Sequence, residues 1–365
     1  MKSNIALIIA LTSLSSIANA GDWLSSWSVE LGVSSIYDDN ILRYSDKYLT
    51  LFTERQDEGR FHVNTRDDVI LVSSIRGMTT LKLVQSLPTT LTVDFKQRMF
   101  TGNGIKDWST YEVNARQGLG KRFAAGVGYN YSPYFYVRHY LDGDWASRYG
   151  DGPESYQPFD FAKDEIEGWV QKMLFNATRV RVGGLYSRYF YNEHFTEYDC
   201  TNKTFSIDLG QPLSRNLRLT FKYAYELSRA KGDANTDPSY NEDAFGLGAV
   251  WSLPDILGRD NSLRVTGEYA RRCFTTDHAL EVDPLHAGRV DYATRLSVAY
   301  ECKPLKKFAL ALNAAWQSRD AQTQAVVNAD YLSAERDFRQ FQVGLEVKYI
   351  IRYVAPEESE FEEDE

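Results

Sequence analysis

The sequence predicts an all-β fold, a transmembrane antiparallel up-and-down β-barrel of about 14 strands, and three observations predict it. From Trp27 onward, apolar and polar side chains alternate with period 2 in one segment after another, which marks a strand with one greasy and one wet face. The connections between these segments alternate long and short, as they do in a barrel with short turns at one end and long loops at the other. The 365 residues include 24 Tyr, 19 Phe and 7 Trp, a load suited to rings lying at a membrane–water boundary. No apolar run after residue 20 reaches the roughly 20 residues of a spanning helix, and the mean hydropathy is −0.43.

The elements follow in order. Residues 1–20 hold a single cation, Lys2, an apolar run from Ile5 to Leu11 and the small triplet Ala18-Asn19-Ala20, the layout of a cleavable secretory signal. The barrel then occupies 21–354, with strands expected near 26–37, 67–85, 89–101, 108–118, 122–139, 164–174, 178–191, 202–212, 216–230, 242–252, 261–275, 289–301, 306–319 and 336–353. The long connections include 38–66 and 140–163; the short ones include 86–88 and 176–177, with 253–260 as a longer exception. The clearest strand is 217–227, where Leu217, Leu219, Phe221, Tyr223, Tyr225 and Leu227 alternate with Arg218, Thr220, Lys222, Ala224 and Glu226. An even strand number brings both ends of the chain to one side, so the last strand is expected to pair with Trp27 to Tyr37 and leave no backbone edge in lipid. The formal net charge is −9, and the segment 355–365 alone carries Glu357, Glu358, Glu360, Glu362, Glu363, Asp364 and Glu365. Such a run reads as a solvated, disordered periplasmic tail. No basic tract points to nucleic acid, and three scattered cysteines, Cys200, Cys273 and Cys302, form no disulfide framework.

With the apolar stripes toward lipid, the opposite positions line the lumen: Lys96, Arg98, Glu112, Arg116, Arg218, Lys222, Glu226, Arg264, Glu268, Arg295, Glu346 and Lys348, with Asp94, Arg272, Asp291, Glu301 and Arg352 on the same faces. Two readings fit these charges, a salt-bridged plug or a hydrated channel whose charge rows guide polar solutes. Eight strands leave a filled interior and sixteen to eighteen an open one, so fourteen favour a small aqueous bore. The five histidines, His62, His139, His194, His278 and His286, fall in or beside the long loops. Asp277-His278 is a single acid–base dipeptide without a triad context, so neither hydrolysis nor a metal site is expected, and no cofactor.

Gln342, Gly344, Val347 and Tyr349 resemble the polar-x-Gly-x-x-apolar-x-aromatic assembly signal in the last strand of bacterial outer-membrane barrels. The stretch "VELGVSSIYDDNILR", residues 29–43, followed by "DDVILVSS", resembles β-barrel porin families of exported bacterial proteins, some of them encoded with exopolysaccharide systems. The resemblance implies the outer membrane of a Gram-negative bacterium, with its lipid and lipopolysaccharide and the barrel assembly machinery as partners. It also implies a porin-like channel for small polar solutes, with exopolysaccharide export as the alternative and a barrel hydrolase behind it. The layout also resembles the general porins, whose third external loop narrows the bore. By that likeness 140–163 would be the constriction loop, its acids Asp142, Asp144, Asp151 and Glu154 facing Lys96, Arg98, Arg116 and Arg218. Small cations are then expected to pass more readily.

Overall fold

The computed structural model describes residues 24–84, 87–150, 152–254, 260–323 and 326–354. The expected signal and acidic tail, and residues 255–259 of the longer turn, lie outside the described residues. The strands are β1 Leu24–Asp38, β2 Asp68–Val84, β3 Leu87–Phe100, β4 Trp108–Gly118, β5 Phe123–Leu141, β6 Tyr156–Met173, β7 Arg179–Tyr191, β8 Cys200–Pro212, β9 Leu217–Ala230, β10 Tyr240–Leu253, β11 Asn261–Phe274, β12 Arg289–Leu305, β13 Phe308–Thr323 and β14 Phe338–Val354. Among the described residues three α-helices lie in the long loops: α1 Asp46–Thr53, α2 Gly143–Tyr149 and α3 Val326–Arg336.

Each strand pairs antiparallel with its sequence neighbours, and β14 returns to β1 to close the barrel. The seam runs from Ser26 opposite Val354 to Asp38 opposite Gln342. Closure pairs the backbone of every strand on both sides, the condition for sheet in hydrocarbon. At the seam the Cβ that Gly344 lacks would meet Ile36 Cγ1 at 3.0 Å and the Ser35 carbonyl oxygen at 3.2 Å, so a side chain here would crowd β1.

The register decides which face is which. Opposed residues share a side, so Leu31 opposite Ile75 and Tyr349 lies on one face while Asp38 opposite Asp68 and Gln342 lies on the other. The first face leaves large apolar side chains open, with Val33 62%, Leu247 66% and Leu312 53% exposed. A water-facing wall would hide such residues, so this face is the lipid face.

All fourteen expected strands are present, with one boundary moved substantially. β6 begins at Tyr156 rather than near 164, so the connection after β5 shrinks from 140–163 to 142–155. The segment "YQPFDFAK" reads as loop because Pro158 and Asp160 interrupt it, yet β5 and β6 pair as far as Leu141 opposite Tyr156, across register shifts at Ser132/Phe135 and Tyr136/Arg138. β5 and β6 have 19 and 18 residues, well beyond the roughly 9–11 of a tilted crossing, and so carry the 142–155 loop past the lipid zone.

Candidate functional site

The register places every sequence-predicted wall residue on the inner face. Lys96, Arg98, Glu112 and Arg116 share it through β3 and β4, Arg218, Lys222 and Glu226 through β9, Arg264, Glu268 and Arg295 through β11 and β12, and Glu346 and Lys348 through β14. Some of these charges are internally compensated. Asp94 takes Arg76 Nε at 2.5 Å and Lys96 Nζ at 3.7 Å, and Lys348 Nζ lies 3.4 Å from Glu346 and 3.7 Å from Glu30. Glu226 accepts from Asn202, Thr204 and the Tyr240 hydroxyl.

At the end away from the chain termini the lumen is narrowed by the first long loop. Ile41, Leu42, Tyr44 and Tyr48 of residues 39–67 turn inward and bury against Ile70, Val72, Phe100 and Tyr136 of the wall. Burial of side chains this size is worth about 1.5–3 kcal/mol each, enough to hold the loop inside. Polar latches fix its ends. Asp38 accepts from Gln340 Nε2 and Gln342 Nε2, both at 2.7 Å, and Asn40 Nδ2 donates to Tyr44 O at 2.8 Å and Arg339 O at 2.9 Å. Arg138 Nη2 donates to Leu42 O at 2.7 Å and Arg43 O at 3.0 Å. Ser45 Oγ donates to Ala334 O at 2.5 Å, joining the start of α1 to α3. Arg336 Nη1, at the end of α3, donates to the Tyr140 hydroxyl at 2.6 Å, and Arg319 Nε donates to Arg336 O at 2.7 Å.

Of the acids expected to form a constriction in 142–155, Asp142 and Glu154 are described, and neither lines the cavities below. Asp142 caps α2, accepting from Trp145 N at 3.0 Å, and its other oxygen lies 2.8 Å from His194 Nδ1. Glu154 is exposed. The Asp144 side chain and residue Asp151 lie outside what is described, and none of the described residues of 142–155 lines either cavity below. The described part of this loop packs on the first loop, Pro153 lying against Gly59, and its carboxylate at 142 already has partners.

Two adjoining cavities of about 780 Å³ and 510 Å³ occupy the narrowed lumen, sharing Arg43, Arg272, Arg295, Gln317 and Arg319. The larger is lined by nine cationic side chains, Arg43, Arg98, Lys106, Arg138, Arg272, Arg289, Arg295, Arg319 and Arg336, against one carboxylate, Asp38. Only two of the nine have an acid partner among the described residues: Arg272 with Glu242 at 2.8 Å and Arg289 with Asp291 at 2.5 Å. Most of the others are held by rings, Arg98 over Trp108 at 4.0 Å, Arg138 over Tyr44 at 4.5 Å and Arg319 over Phe338 at 5.0 Å. Stacking occupies the face of a guanidinium and leaves its in-plane donors for another ligand. Arg43, with φ 53°, projects from the loop into both cavities; desolvation holds its guanidinium below the ordinary arginine value. Lys106 donates to Tyr136 O at 3.1 Å and Val137 O at 3.3 Å, and burial pulls its amine down to about 7.

Sequence reasoning missed much of this ring. Arg319 was legible by parity, being opposite Ala293 on an inner face. Arg43, Lys106 and Arg336 come from loops, where no period marks direction. Of the residues expected to form an assembly signal, Gln342 and Gly344 lie on the inner face while Val347 and Tyr349 point to lipid, Tyr349 lying 5.0 Å from Phe308. Asp277 and His278 share loop 275–288, with no contact between their side chains found among the described residues.

Inner charge, apolar exterior and closed seam together decide the class. The chain is a transmembrane β-barrel. No protein-family model and no curated protein sequence matches it. Among solved structures it is similar to a bacterial polysaccharide outer membrane secretin, at 7% identity over 88% of this chain and 98% of that one, TM-score 0.46. It is also similar to the outer membrane channel DcaP of Acinetobacter baumannii, at 11% identity over 90% and 97%, TM-score 0.45, and to an anion-selective porin from Comamonas acidovorans, at 10% identity over 90% and 100%, TM-score 0.41.

Proposed function

We propose that this barrel is a porin-like channel of the outer membrane that passes small polar solutes and favours anions. The observation that carries the reading is the excess of cations at the narrowed mouth, nine against Asp38. Fixed like charges beside a narrow aqueous path raise the local concentration of counter-ions and exclude co-ions. In this reading anion preference takes the place of the cation preference expected from the loop acids, since Asp142 and Glu154 do not line the cavities.

Features of the outer wall suit the partners expected from the sequence. Arg188 and Arg229 lie in one register row across β7–β9, with Lys203 two residues below between Tyr186 and Leu227. Arg188 is already held by Asp164 at 2.7 Å, so Lys203 and Arg229 are the outward cations that complement lipopolysaccharide phosphates. Gly344 and Tyr349 are the seam residues offered to the assembly machinery.

The test is swelling of proteoliposomes carrying the full chain. Uptake of small organic anions faster than of neutral sugars of equal size is expected; membranes as tight as protein-free vesicles would refute a channel.

A further inference from the structure

The larger cavity has a second wall that charge selection alone does not require. Tyr189, Phe161, Tyr191, Phe159 and Tyr198 form a continuous aromatic panel, with successive ring centroids 5.2, 5.2, 4.8 and 4.9 Å apart. All five line the cavity. The residues come from β6, β7 and the loop that follows β7, and at the panel's edge Arg272 lies 3.9 Å over the Tyr240 ring, while Arg336 reaches toward Tyr140.

The tyrosine hydroxyls matter most. Among the described residues no hydrogen bond is made by the hydroxyls of Tyr189, Tyr191 or Tyr198, whose half-buried side chains line the cavity. Facing the cavity, these phenols are free to exchange water for a ligand's hydroxyls. Ordinary anion selection would be served as well by phenylalanine or leucine at these positions. The buried Nε of Arg336 and Nε of Arg138 have no hydrogen-bond partner among the described residues.

We infer that this cavity is a binding site for acidic sugars, short oligosaccharides whose rings carry carboxylates. The sugar's C–H face packs on the panel, its hydroxyls meet the phenols of Tyr189, Tyr191 and Tyr198, and its carboxylate takes the in-plane donors of Arg138 and Arg336. A simple inorganic anion uses only the last of these. An aromatic acid uses the panel and the guanidinium groups but leaves the phenols unpaired, at a cost in affinity. A neutral sugar uses the panel and phenols and forgoes the arginines. The site thus selects for three features at once. This inference rests on the anion-favouring reading of the channel and deepens it.

The experiment is single-channel recording of the full chain in chloride, with blockers added to the loop side. The probes are a galacturonate trimer, a neutral maltose-series trimer, benzoate and sulfate. The galacturonate trimer is expected to interrupt the current at concentrations about tenfold or more below each of the others, the ratio that one lost hydrogen bond or ion contact of about 1.4 kcal/mol gives. The variant Tyr189→Phe/Tyr191→Phe/Tyr198→Phe keeps the rings and should weaken galacturonate block by about tenfold or more, while leaving chloride preference and benzoate block unchanged. Equal block by the acidic and neutral trimers, stronger block by benzoate, or full galacturonate block in the triple variant overturns the inference with the channel reading intact. A chloride preference absent from the parent channel overturns both.

Discussion

Arg43, Arg295 and Arg319 line both cavities and, unlike Arg272, have no acid partner among the described residues, so neutralising them should reduce the anion preference more than any other three changes in the lumen. A guanidinium about 7 Å from a permeating ion contributes about 0.6 kcal/mol at the dielectric constant of water, and a Debye length of about 10 Å near 0.1 M roughly halves that. Three such charges give about 0.9 kcal/mol, acting with opposite sign on anion and cation, so the permeability ratio changes by about 1.8 kcal/mol, or roughly twentyfold. Near 1 M the screening length of about 3 Å should reduce the change to less than about twofold. The assay is the zero-current potential of Arg43→Gln/Arg295→Gln/Arg319→Gln in planar bilayers, with heat-modifiable gel migration confirming a folded barrel. A folded triple variant that keeps the parent ratio at low salt would refute the reasoning, because the charge controlling passage would have to lie elsewhere.

Further outcomes follow from the same geometry. Changing Asp142, Asp144, Asp151 and Glu154 together to Asn or Gln should leave the zero-current potential where it is, since the described part of that loop lines neither cavity. A shift toward anions in that variant would return the constriction to the loop. The Lys106 amine, pulled down to about 7, is charged below that pH and neutral above it, so anion preference should fall as pH rises through about 7 and the step should be missing in Lys106→Met. Gln340→Ala removes donors to Asp38 and Asn40 O; loss of a buried hydrogen bond to a charged group costs about 1.5–3 kcal/mol, so the first loop should loosen, read as noisier current and faster proteolysis within 39–67. Gly344→Val puts side-chain atoms against Ile36 and Ser35 and should lower the amount of barrel inserted, whereas deleting 356–365 should not; both are read by membrane fractionation.

Strand number, face assignment and closure were legible because a lipid-facing wall forces a strict period of 2 and strands paired at a closed seam fix the register. Lys222 and Glu268 could be placed inside from parity alone, and the structure puts both against the smaller cavity. The narrowing was not legible. Loop 39–67 enters the barrel through Ile41, Leu42 and Tyr44, a short apolar cluster whose partners Ile70, Val72 and Phe100 are inner-wall positions that parity assigns to water. Their apolar character was the available signal, since an apolar patch on a wet face needs a cover. The bounds of the loop after β5 were misread, because the pairing of Leu141 with Tyr156 could not be seen through Pro158 and Asp160. Arg43 and Arg336 owe their direction to loop packing, which leaves no periodic trace.

The most direct measurement of the central claim is the zero-current potential of the intact, unaltered chain in a planar bilayer under a potassium chloride gradient at low ionic strength. A mouth lined by nine cations and one carboxylate predicts a potential of the sign set by chloride, decaying toward zero as both solutions are raised toward about 1 M. A potential of the sign set by potassium, or no conductance in membranes that demonstrably contain folded barrel, would contradict the account.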